Sequence, residues 1–218
     1  RAFALYDVVA NESGQAHALD IVFHTVGKLT NILANKRSGD KLSVWGPLGN
    51  GFLPEPTKHL VMVAGGIGQT PFLALAKEAM GQADYGRDGV CVERATLCYG
   101  ARSASYFAGL DDFRGTGLDL KLATDDGSAG KHGLVTKLLE EVLAEVPHHG
   151  LRVVCCGPEK MMQAVSEICQ REKVPCQVSL ETPMACGIGI CFSCVTRVRQ
   201  SDGSWDYKRT CVDGPVFE

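Results

Sequence analysis

The sequence predicts an α/β protein with a doubly wound parallel sheet, preceded by a short β-rich segment and followed by a small cysteine-rich unit. Two observations predict this fold. Between residues 56 and 180, apolar strand-like runs alternate with helical stretches, which is typical of a parallel sheet with helices on both faces. Four cysteines then fall close together near the C-terminus: Cys186, Cys191, Cys194 and Cys211. A chain of 218 residues has room for one or two domains beside such a unit.

Each element follows from its hydrophobic period and its flanking turn residues. In the central unit, the expected strands are 60–64, 95–99, 118–123, 152–156 and 177–180, and the expected helices are 71–80, 134–146 and 160–170. The N-terminal segment contains candidate strands at 3–9, 19–25 and 41–45. Near the C-terminus, a turn at 201–204 separates candidate strands 195–198 and 205–208, which predicts a hairpin.

The spacing of the four cysteines points to a metal cluster. Four, two and sixteen residues separate them in turn, which is the plant-type pattern for a [2Fe-2S] cluster. Gly187 and Gly189 allow the loop backbone to approach the cluster and to adopt positive φ. Zinc is the first alternative, but it usually takes close cysteine pairs on both sides. Disulfides are the second, and they need an oxidising compartment, whereas the N-terminus does not resemble a secretion signal.

The other cysteines and the charge balance limit the class of protein. The remaining six cysteines lie mostly in apolar runs, where they are expected to act as small buried hydrophobes in a reducing cytoplasm: Cys91, Cys98, Cys155, Cys156, Cys169 and Cys176. The net charge of −3 gives no basic footprint for nucleic acid. No apolar run is long enough to cross a membrane. Proteins and small molecules are therefore the expected partners.

A glycine-rich turn at 63–71 joins the first central strand to the first helix. Gly65, Gly66 and Gly68 permit a tight turn and a close approach to a pyrophosphate, which free amides and the helix dipole attract. Thr70 is a further candidate contact, and Pro71 suits a first helical turn. A purely structural turn is the alternative, but the position between strand and helix favours a nucleotide site.

A second turn follows the fourth central strand at Cys156, Gly157 and Pro158. Ligands of open parallel sheets bind outside the carboxyl ends of the strands, so this turn should face the same crevice as the first. The alternative is that Gly157 and Pro158 only start a helix. Together the two turns predict a nicotinamide site.

Five motifs carry a resemblance to a known family and occur along the chain in the order in which that family has them: 46–52, 64–68, 123–128, 156–158 and 184–189 with the remaining cysteines. The chain resembles the electron-transfer subunits of the heteromeric, NAD-linked dihydroorotate dehydrogenases, within the ferredoxin-NADP reductase superfamily. The resemblance covers essentially the whole chain. It implies three domains: a partial FAD-binding β-barrel at 1–55, an NAD-binding domain at 56–180 and a [2Fe-2S] domain at 181–218.

The resemblance also implies contacts to FAD. Arg1 matches the arginine of the family's flavin motif, although Ala2 and Ala4 replace its proline and serine. Gly27 and Thr30 occupy the segment that binds the flavin pyrophosphate. Two glycines of the 46–52 motif complete the implied cofactor contacts: Gly46 and Gly49. Because only residues 1–55 precede the NAD-binding domain, we expect that an N-terminal barrel segment is missing or was never present.

The implied activity joins a two-electron carrier to a one-electron carrier. Electrons would arrive from a catalytic dihydroorotate dehydrogenase subunit in a heterotetramer, pass through the cluster to FAD and leave as hydride on NAD. Asp125 and Asp126 disfavour the 2′-phosphate of NADPH, whereas Arg102 and Lys131 would accept one; the alternative is that all four are ordinary solvated loop charges. The resemblance favours NADH. No residue is assigned a catalytic role by this reasoning.

Other functions remain open at this point. The same layout occurs in flavin subunits of hydrogenases and of NADH-dependent ferredoxin:NADP oxidoreductases, and a flavin-less cluster-bearing binding module is a non-enzymatic alternative. An incomplete barrel would expose strand edges, which predicts either a homodimer or a loosely ordered remnant. The aromatic residues near the cluster would either pack around it, which is the favoured interpretation, or form a docking patch: Phe192, Trp205, Tyr207 and Phe217.

Overall fold

The structure, a computed structural model, describes residues 2–53, 55–87, 91–200 and 202–218. The strands are β1 Asp7–Ala10, β2 Ala16–Asp20, β3 His59–Gly65, β4 Arg94–Ala101, β5 Asp119–Thr124, β6 Lys131–His132, β7 Leu151–Cys156, β8 Cys176–Ser179, β9 Val195–Arg199, β10 Trp205–Arg209 and β11 Val216–Phe217. The helices are α1 Lys28–Ala34, α2 Phe72–Ala79, α3 Leu110–Gly115, α4 Val135–Glu145 and α5 Glu159–Glu172. Within this part of the chain, no helix is both long and apolar enough to span a bilayer.

A seven-stranded sheet in the order β11-β8-β7-β3-β4-β5-β6 forms the centre of the molecule. Strands β3 to β8 pair in parallel, and β11 joins the β8 edge in the antiparallel sense. The strand order runs outward in both directions from β3, so the crevice between the carboxyl ends of β3 and β7 is the topological switch point. All eight elements that the sequence predicts for the central unit are present.

Helices cover both faces of the sheet, as the alternating pattern predicts. On one face, α4 and α5 pack against β3, β4 and β7 through residues at helical spacing, such as Leu139, Val142 and Val165. On the other face, α2 and α3 cover Leu60, Met62 and Leu97 with fully buried side chains. Each large apolar side chain buried in this way contributes about 1.5–3 kcal/mol.

The N-terminal segment is a two-stranded antiparallel hairpin, β1 with β2, followed by α1. The predicted strands 3–9 and 19–25 overlap β1 and β2 only in part. The predicted strand at 41–45 is wrong, because these residues pair with no neighbouring strand among those described, and Val44 is 83% and Trp45 68% exposed. An alternating apolar pattern gives a strand only when backbone groups find a partner. Helix α1 was not predicted.

Tyr6 anchors the N-terminal segment to the central unit. Its carbonyl oxygen accepts the Ala74 amide of α2 at 3.1 Å, and its hydroxyl donates to Asp112 Oδ2 at 2.7 Å. Its ring meets the Phe113 ring edge-on, at a centroid distance of 6.4 Å. Asp7 next to it forms an ion pair with Lys77. The hairpin therefore has a fixed attachment to α2 and α3.

Replacing Tyr6 with phenylalanine is expected to destabilise the fold by about 1 kcal/mol at neutral pH, because the hydroxyl loses its carboxylate partner. Burial and the Asp112 hydrogen bond raise the pKa of Tyr6 well above its ordinary 10.0. The wild type should therefore keep this contribution below pH 10 and lose it as the pH rises further, since the unfolded chain ionises first. Urea unfolding of both proteins at pH 8 and above pH 10 checks this. If the free energy of unfolding of Tyr6→Phe fell by as much as that of the wild type between these two pH values, the prediction would be contradicted.

Candidate functional site

The β9–β10 hairpin brings the third and fourth cysteines of the C-terminal unit together. Strand β9 starts directly after Cys194 and β10 ends two residues before Cys211, and the Thr210 amide donates to the Cys194 carbonyl at 3.1 Å. The Sγ atoms of Cys194 and Cys211 lie 3.2 Å apart and both residues are buried. The hairpin that the sequence predicts is therefore what closes the long gap between the third and fourth cysteines.

The preceding loop arranges the other two cysteines. Cys186 Sγ accepts the backbone amides of Ile188 and Cys191, each at 3.5 Å, so these amides point at a sulfur. Gly187 and Gly189 have φ of 72° and 81°, the positive values expected for this loop. Hydrogen bonds, above all from Ser193, lower the pKa of Cys191 to about 6. Thiolate formation, which metal binding requires, is thus favoured here.

The donor set fits a [2Fe-2S] cluster. Within the described ranges, no group of three or more His, Cys, Asp or Glu side chains lies close enough to hold a metal ion. The contacts among the four cysteines are pairwise: the Cys191 amide donates to Cys186 Sγ at 3.5 Å, and Cys194 Sγ lies 3.2 Å from Cys211 Sγ. A two-iron cluster takes four thiolates, two at each iron, whereas a structural zinc ion needs all four around one centre.

The glycine-rich turn lies at the carboxyl end of β3, at the switch point of the sheet. Residues Gly66–Gln69 form a single 3₁₀ turn that leads through Thr70 and Pro71 into α2. Gly66 has φ of 55°, and a Cβ atom there would meet no atom within 4 Å. The turn therefore leaves open space beside its backbone, as a cradle for a dinucleotide requires.

The second turn packs directly against the first. A Cβ atom at Gly68 would lie 2.3 Å from the Cys156 carbonyl oxygen, and one at Gly157 would lie 2.9 Å from the Gly65 nitrogen. A Cβ atom at Gly65 would meet Pro158 Cδ at 2.7 Å. These glycines are required for the contact between the two turns, which places both at one crevice.

Asp125 lies on the same edge of the sheet, in the turn after β5. Its amide donates to the Ala101 carbonyl at 3.0 Å, at the end of β4. Ser128 in this turn accepts the Ala104 amide at 2.8 Å and lowers the pKa of Asp126 through hydrogen bonds. Lys131 forms an ion pair with Glu141 of α4. The positive charge of Lys131 is therefore matched within the protein, whereas the turn keeps its acidic character.

The residues that the resemblance relates to FAD lie on the N-terminal segment. Gly27 caps α1, and the buried Thr30 hydroxyl accepts the Val26 and Gly27 amides at 3.0 Å and donates to the Gly27 carbonyl at 3.1 Å. The Thr30 side chain thus holds this turn together, and backbone amides of the turn are the donors that remain for a phosphate. Gly46 precedes a cis bond to Pro47. Arg1 lies outside the described residues.

Gly49 takes part in a junction that the sequence did not reveal. A Cβ atom there would lie 2.3 Å from the Gly214 carbonyl oxygen, which also accepts the Asn50 amide at 2.5 Å. Leu48 reaches the cluster loop, since a Cβ atom at Gly187 would meet its Cδ1 at 2.8 Å. Segment 48–50 therefore lies against the cysteine-rich unit.

Residues 52–53, which directly continue segment 48–50, are held by two arginines of the central unit. Arg87 Nη1 donates to the Phe52 carbonyl at 2.9 Å, and the buried Arg152 Nη2 donates to the Leu53 carbonyl at 2.8 Å. Burial lowers the pKa of Arg152, and the Glu55 carboxylate at 3.4 Å opposes this effect. One continuous strap of chain, 48–53, thus contacts the cluster loop at one end and the central unit at the other.

The fold and site together define a nucleotide-dependent oxidoreductase that carries an iron–sulfur unit. Family models agree with this class. Residues 62–167 match the oxidoreductase NAD-binding domain, and residues 181–218 match the iron-sulfur cluster binding domain of dihydroorotate dehydrogenase B.

Curated relatives identify the family. The chain is 38% identical over 199 residues to the dihydroorotate dehydrogenase B (NAD(+)), electron transfer subunit, of Caldanaerobacter subterraneus subsp. tengcongensis, covering 91% of this chain and 73% of the relative. The probable counterpart from Thermococcus kodakarensis is 39% identical, with 91% of this chain and 74% of the relative covered. The chain belongs to the family of dihydroorotate dehydrogenase B electron transfer subunits.

Solved structures show the same fold. The NADH-dependent reduced ferredoxin-NADP oxidoreductase structure aligns with a TM-score of 0.74 at 30% identity, covering 96% of this chain and 75% of that one. The flavohem-like FAD/NAD binding domain of nitric oxide dioxygenase from Vibrio cholerae aligns with a TM-score of 0.64 at 20% identity, covering 84% and 77%, and this likeness concerns the fold alone. The ferredoxin-NADP reductase type of architecture is confirmed.

Proposed function

We propose that this chain passes electrons from a dihydroorotate dehydrogenase catalytic subunit through a [2Fe-2S] cluster and FAD to NAD, in pyrimidine biosynthesis. The observation that carries the proposal is the strap at 48–53, which contacts the cluster loop at one end and the NAD-type sheet at the other. The cluster loop and the NAD-type unit are therefore joined by one short segment of chain, in addition to their direct connection along the sequence. The membership of the family agrees with this role.

The residues of this chain bind and orient the carriers. Cys186, Cys191, Cys194 and Cys211 hold the cluster, and the amides at Ile188 and Cys191 stabilise thiolate charge on Cys186. The open backbone at Gly66, beside the packed Gly65 and Gly68, accepts the dinucleotide pyrophosphate, with Thr70 and Pro71 opening α2 behind it. Cys156, Gly157 and Pro158 form the facing wall of the crevice. Burial raises the pKa of Cys156 to about 11, so this wall is uncharged at neutral pH.

The acidic turn favours NADH over NADPH. Asp125 is exposed beside the carboxyl ends of β4 and β5, where a ribose hydroxyl would find an acceptor. Of the two cations that would attract a 2′-phosphate, Lys131 is already paired with Glu141, and the exposed Arg102 remains. A 2′-phosphate would therefore meet the acidic turn with one of the two cations already neutralised.

FAD exchanges one or two electrons and so connects the two chemistries when bound. On this chain, the amides of the Gly27 turn, together with Gly46 and Gly49, are the groups we assign to it, and Arg1 completes the set by resemblance. The division into 1–55, 56–180 and 181–218 is part of the proposal. The pairing of β11, in the third unit, with β8, in the second, supports a close connection between these two units.

We place the protein in the cytoplasm, in a heterotetramer with the catalytic subunit. All ten cysteines lie in the described residues and are free thiols, which suits a reducing compartment. Apolar side chains of the N-terminal segment are exposed, among them Leu19, Val26 and Val44. A homodimer that buries some of these side chains is the competing assembly, and sedimentation with and without the catalytic subunit distinguishes the two.

Mixing the purified catalytic subunit with this protein tests the proposal. Dihydroorotate should then reduce NAD, and neither protein alone should do so at a comparable rate. The chain itself should not bind dihydroorotate. Absence of dihydroorotate-dependent NAD reduction in the mixture, with both proteins carrying their cofactors, would refute the assignment.

A second candidate function rests on the alignment at 30% identity and a TM-score of 0.74 with the NADH-dependent reduced ferredoxin-NADP oxidoreductase. In that case the chain would exchange electrons with a different redox partner, as a subunit of a related complex. Reduced ferredoxin, in place of dihydroorotate and the catalytic subunit, would then support NAD reduction. Comparing the two electron donors in one assay separates these functions.

A further inference from the structure

We propose that one face of the β9–β10 hairpin is the docking surface for the protein that exchanges electrons with the cluster, and that this partner presents acidic side chains around a flat apolar centre. The inference rests on the proposed function and deepens it. The hairpin face consists of Val195, Arg197, Arg199, Trp205 and Tyr207. These five residues project on one side, because residues directly opposite in an antiparallel pair share a face.

The hairpin face is exposed although it is rich in aromatic and apolar surface. Trp205 is 48% and Tyr207 60% exposed, and their rings pack edge-on at 5.2 Å. Arg197 lies 3.9 Å above the Trp205 ring. Arg199 and Trp205 border a shallow open cavity of about 450 Å³ that reaches the hairpin turn. Exposed tryptophan, tyrosine and arginine are the residue types that are enriched at protein interfaces.

The charge of the hairpin is opposite to that of the chain. Between 195 and 209 it carries four basic and two acidic side chains, whereas the whole chain has a net charge of −3. The two acidic residues are engaged elsewhere: Asp206 pairs with Lys208 on the opposite face, and Asp202 accepts hydrogen bonds from Ser204 in the turn. In the described part of the chain, no acidic side chain pairs with Arg197 or Arg199. An acidic partner surface is therefore the complementary occupant.

The hairpin face continues onto the cluster loop. Arg209 shares this face through its register with Val195, donates to the Gly189 carbonyl at 3.2 Å and lies 5.7 Å from the Phe192 ring. Phe192 is 62% exposed, and Ile188 and Ile190 beside it are also exposed. Phe192, Trp205 and Tyr207 are thus more exposed than the expected packing around the cluster implies, whereas Phe217 is half-buried against Gly214.

The cluster loop thus has two distinct sides. Its Gly187 side is covered by Leu48 of the strap. Its Phe192 side, together with the hairpin face, is open to solvent. Electrons that enter from another protein need a short path to the cluster, and the open side offers that path.

Charge reversal on the two faces of the hairpin tests the inference. Arg199→Glu lies on the proposed surface, and Lys208→Glu is the matched control on the opposite face of the same hairpin. The association rate with the purified catalytic subunit is measured by surface plasmon resonance at low and high salt, and the absorption spectrum confirms that each variant keeps its cofactors. Arg199→Glu should slow association about tenfold at low salt, since exposed interface charges act mainly on this rate.

The outcomes separate the inference from the proposed function. The effect of Arg199→Glu should shrink at about 0.5 M salt, where exposed charges are screened, and Lys208→Glu should change the rate less than about twofold. Equal rates for the two variants would overturn the docking surface while leaving the proposed function intact. A wild-type protein that does not bind the catalytic subunit at all would overturn both. A wild-type homodimer that Arg199→Glu dissociates would assign the hairpin face to self-association instead.

Discussion

Replacing Cys194 with serine should remove the cluster and disconnect this chain from its electron donor. The Cys194 sulfur lies 3.2 Å from that of Cys211, and both are buried, so a serine hydroxyl replaces a thiolate that nothing else can supply. We expect iron and sulfide to fall below about a tenth of the wild-type content and dihydroorotate-driven NAD reduction to fall more than about 100-fold, since even outer-shell changes cost 10- to 100-fold. Iron analysis and the coupled assay measure this.

Cys91→Ser is the matched control for that variant, because Cys91 is an exposed free thiol outside the four-cysteine set. It should retain the cluster and the coupled activity. NADH-driven reduction of a dye should persist in Cys194→Ser, because the sheet and its crevice are formed by other elements. A Cys194→Ser protein with full iron and sulfide content would contradict the assignment of this ligand.

Replacing Gly68 with alanine should open the crevice at the switch point and weaken NADH binding. The added Cβ atom would lie 2.3 Å from the Cys156 carbonyl oxygen and 2.7 Å from the Gly157 Cα atom, and both are backbone atoms that cannot rotate away. We expect a loss of about 1–3 kcal/mol in stability from this overpacking. We take NADH to bind only when the two turns are in contact. If separating the turns relieves about 1.4 kcal/mol of strain, binding must restore that strain, and the Kd for NADH rises about tenfold.

Gly115→Ala controls for the general effect of adding a methyl group. Gly115 ends α3, and a Cβ atom there would meet nothing within 4 Å. This variant should be unchanged or more stable by about 0.4–1 kcal/mol, because the unfolded chain loses conformational freedom. Isothermal titration with NADH and thermal unfolding compare the two variants. Wild-type affinity in Gly68→Ala would show that the contact between the turns does not shape the nucleotide site.

The central sheet and the cluster loop were predictable because their signals are local. Buried strands such as β3 and amphipathic helices such as α4 show their period within a few residues, and three of the four cysteines lie within nine residues of one another. The turn at Gly65 to Gly68 is also read locally, from its place between a strand and a helix. These features do not depend on knowing which distant residue is the neighbour.

The strap and its contacts were not predictable because they join distant parts of the chain. Arg152 reaches Leu53 across 99 positions, and Asn50 reaches Asp213 across 163. Nothing in the local pattern of either pair identifies the partner. The failed strand at 41–45 has the same origin, since its alternating pattern fits a strand but no neighbour pairs with it. Exposure of Trp205 and Tyr207 likewise depends on what lies opposite the hairpin.

The most direct test of the electron path is an anaerobic titration of the purified holoprotein with NADH. Iron, sulfide and flavin are quantified first, and the absorption spectrum is followed during the titration. Bleaching of both the flavin and the cluster bands is the predicted result, because the proposed path connects NADH to the cluster through the flavin. Cluster absorbance without flavin, unchanged by NADH, would contradict the account and leave a cluster-bearing binding module.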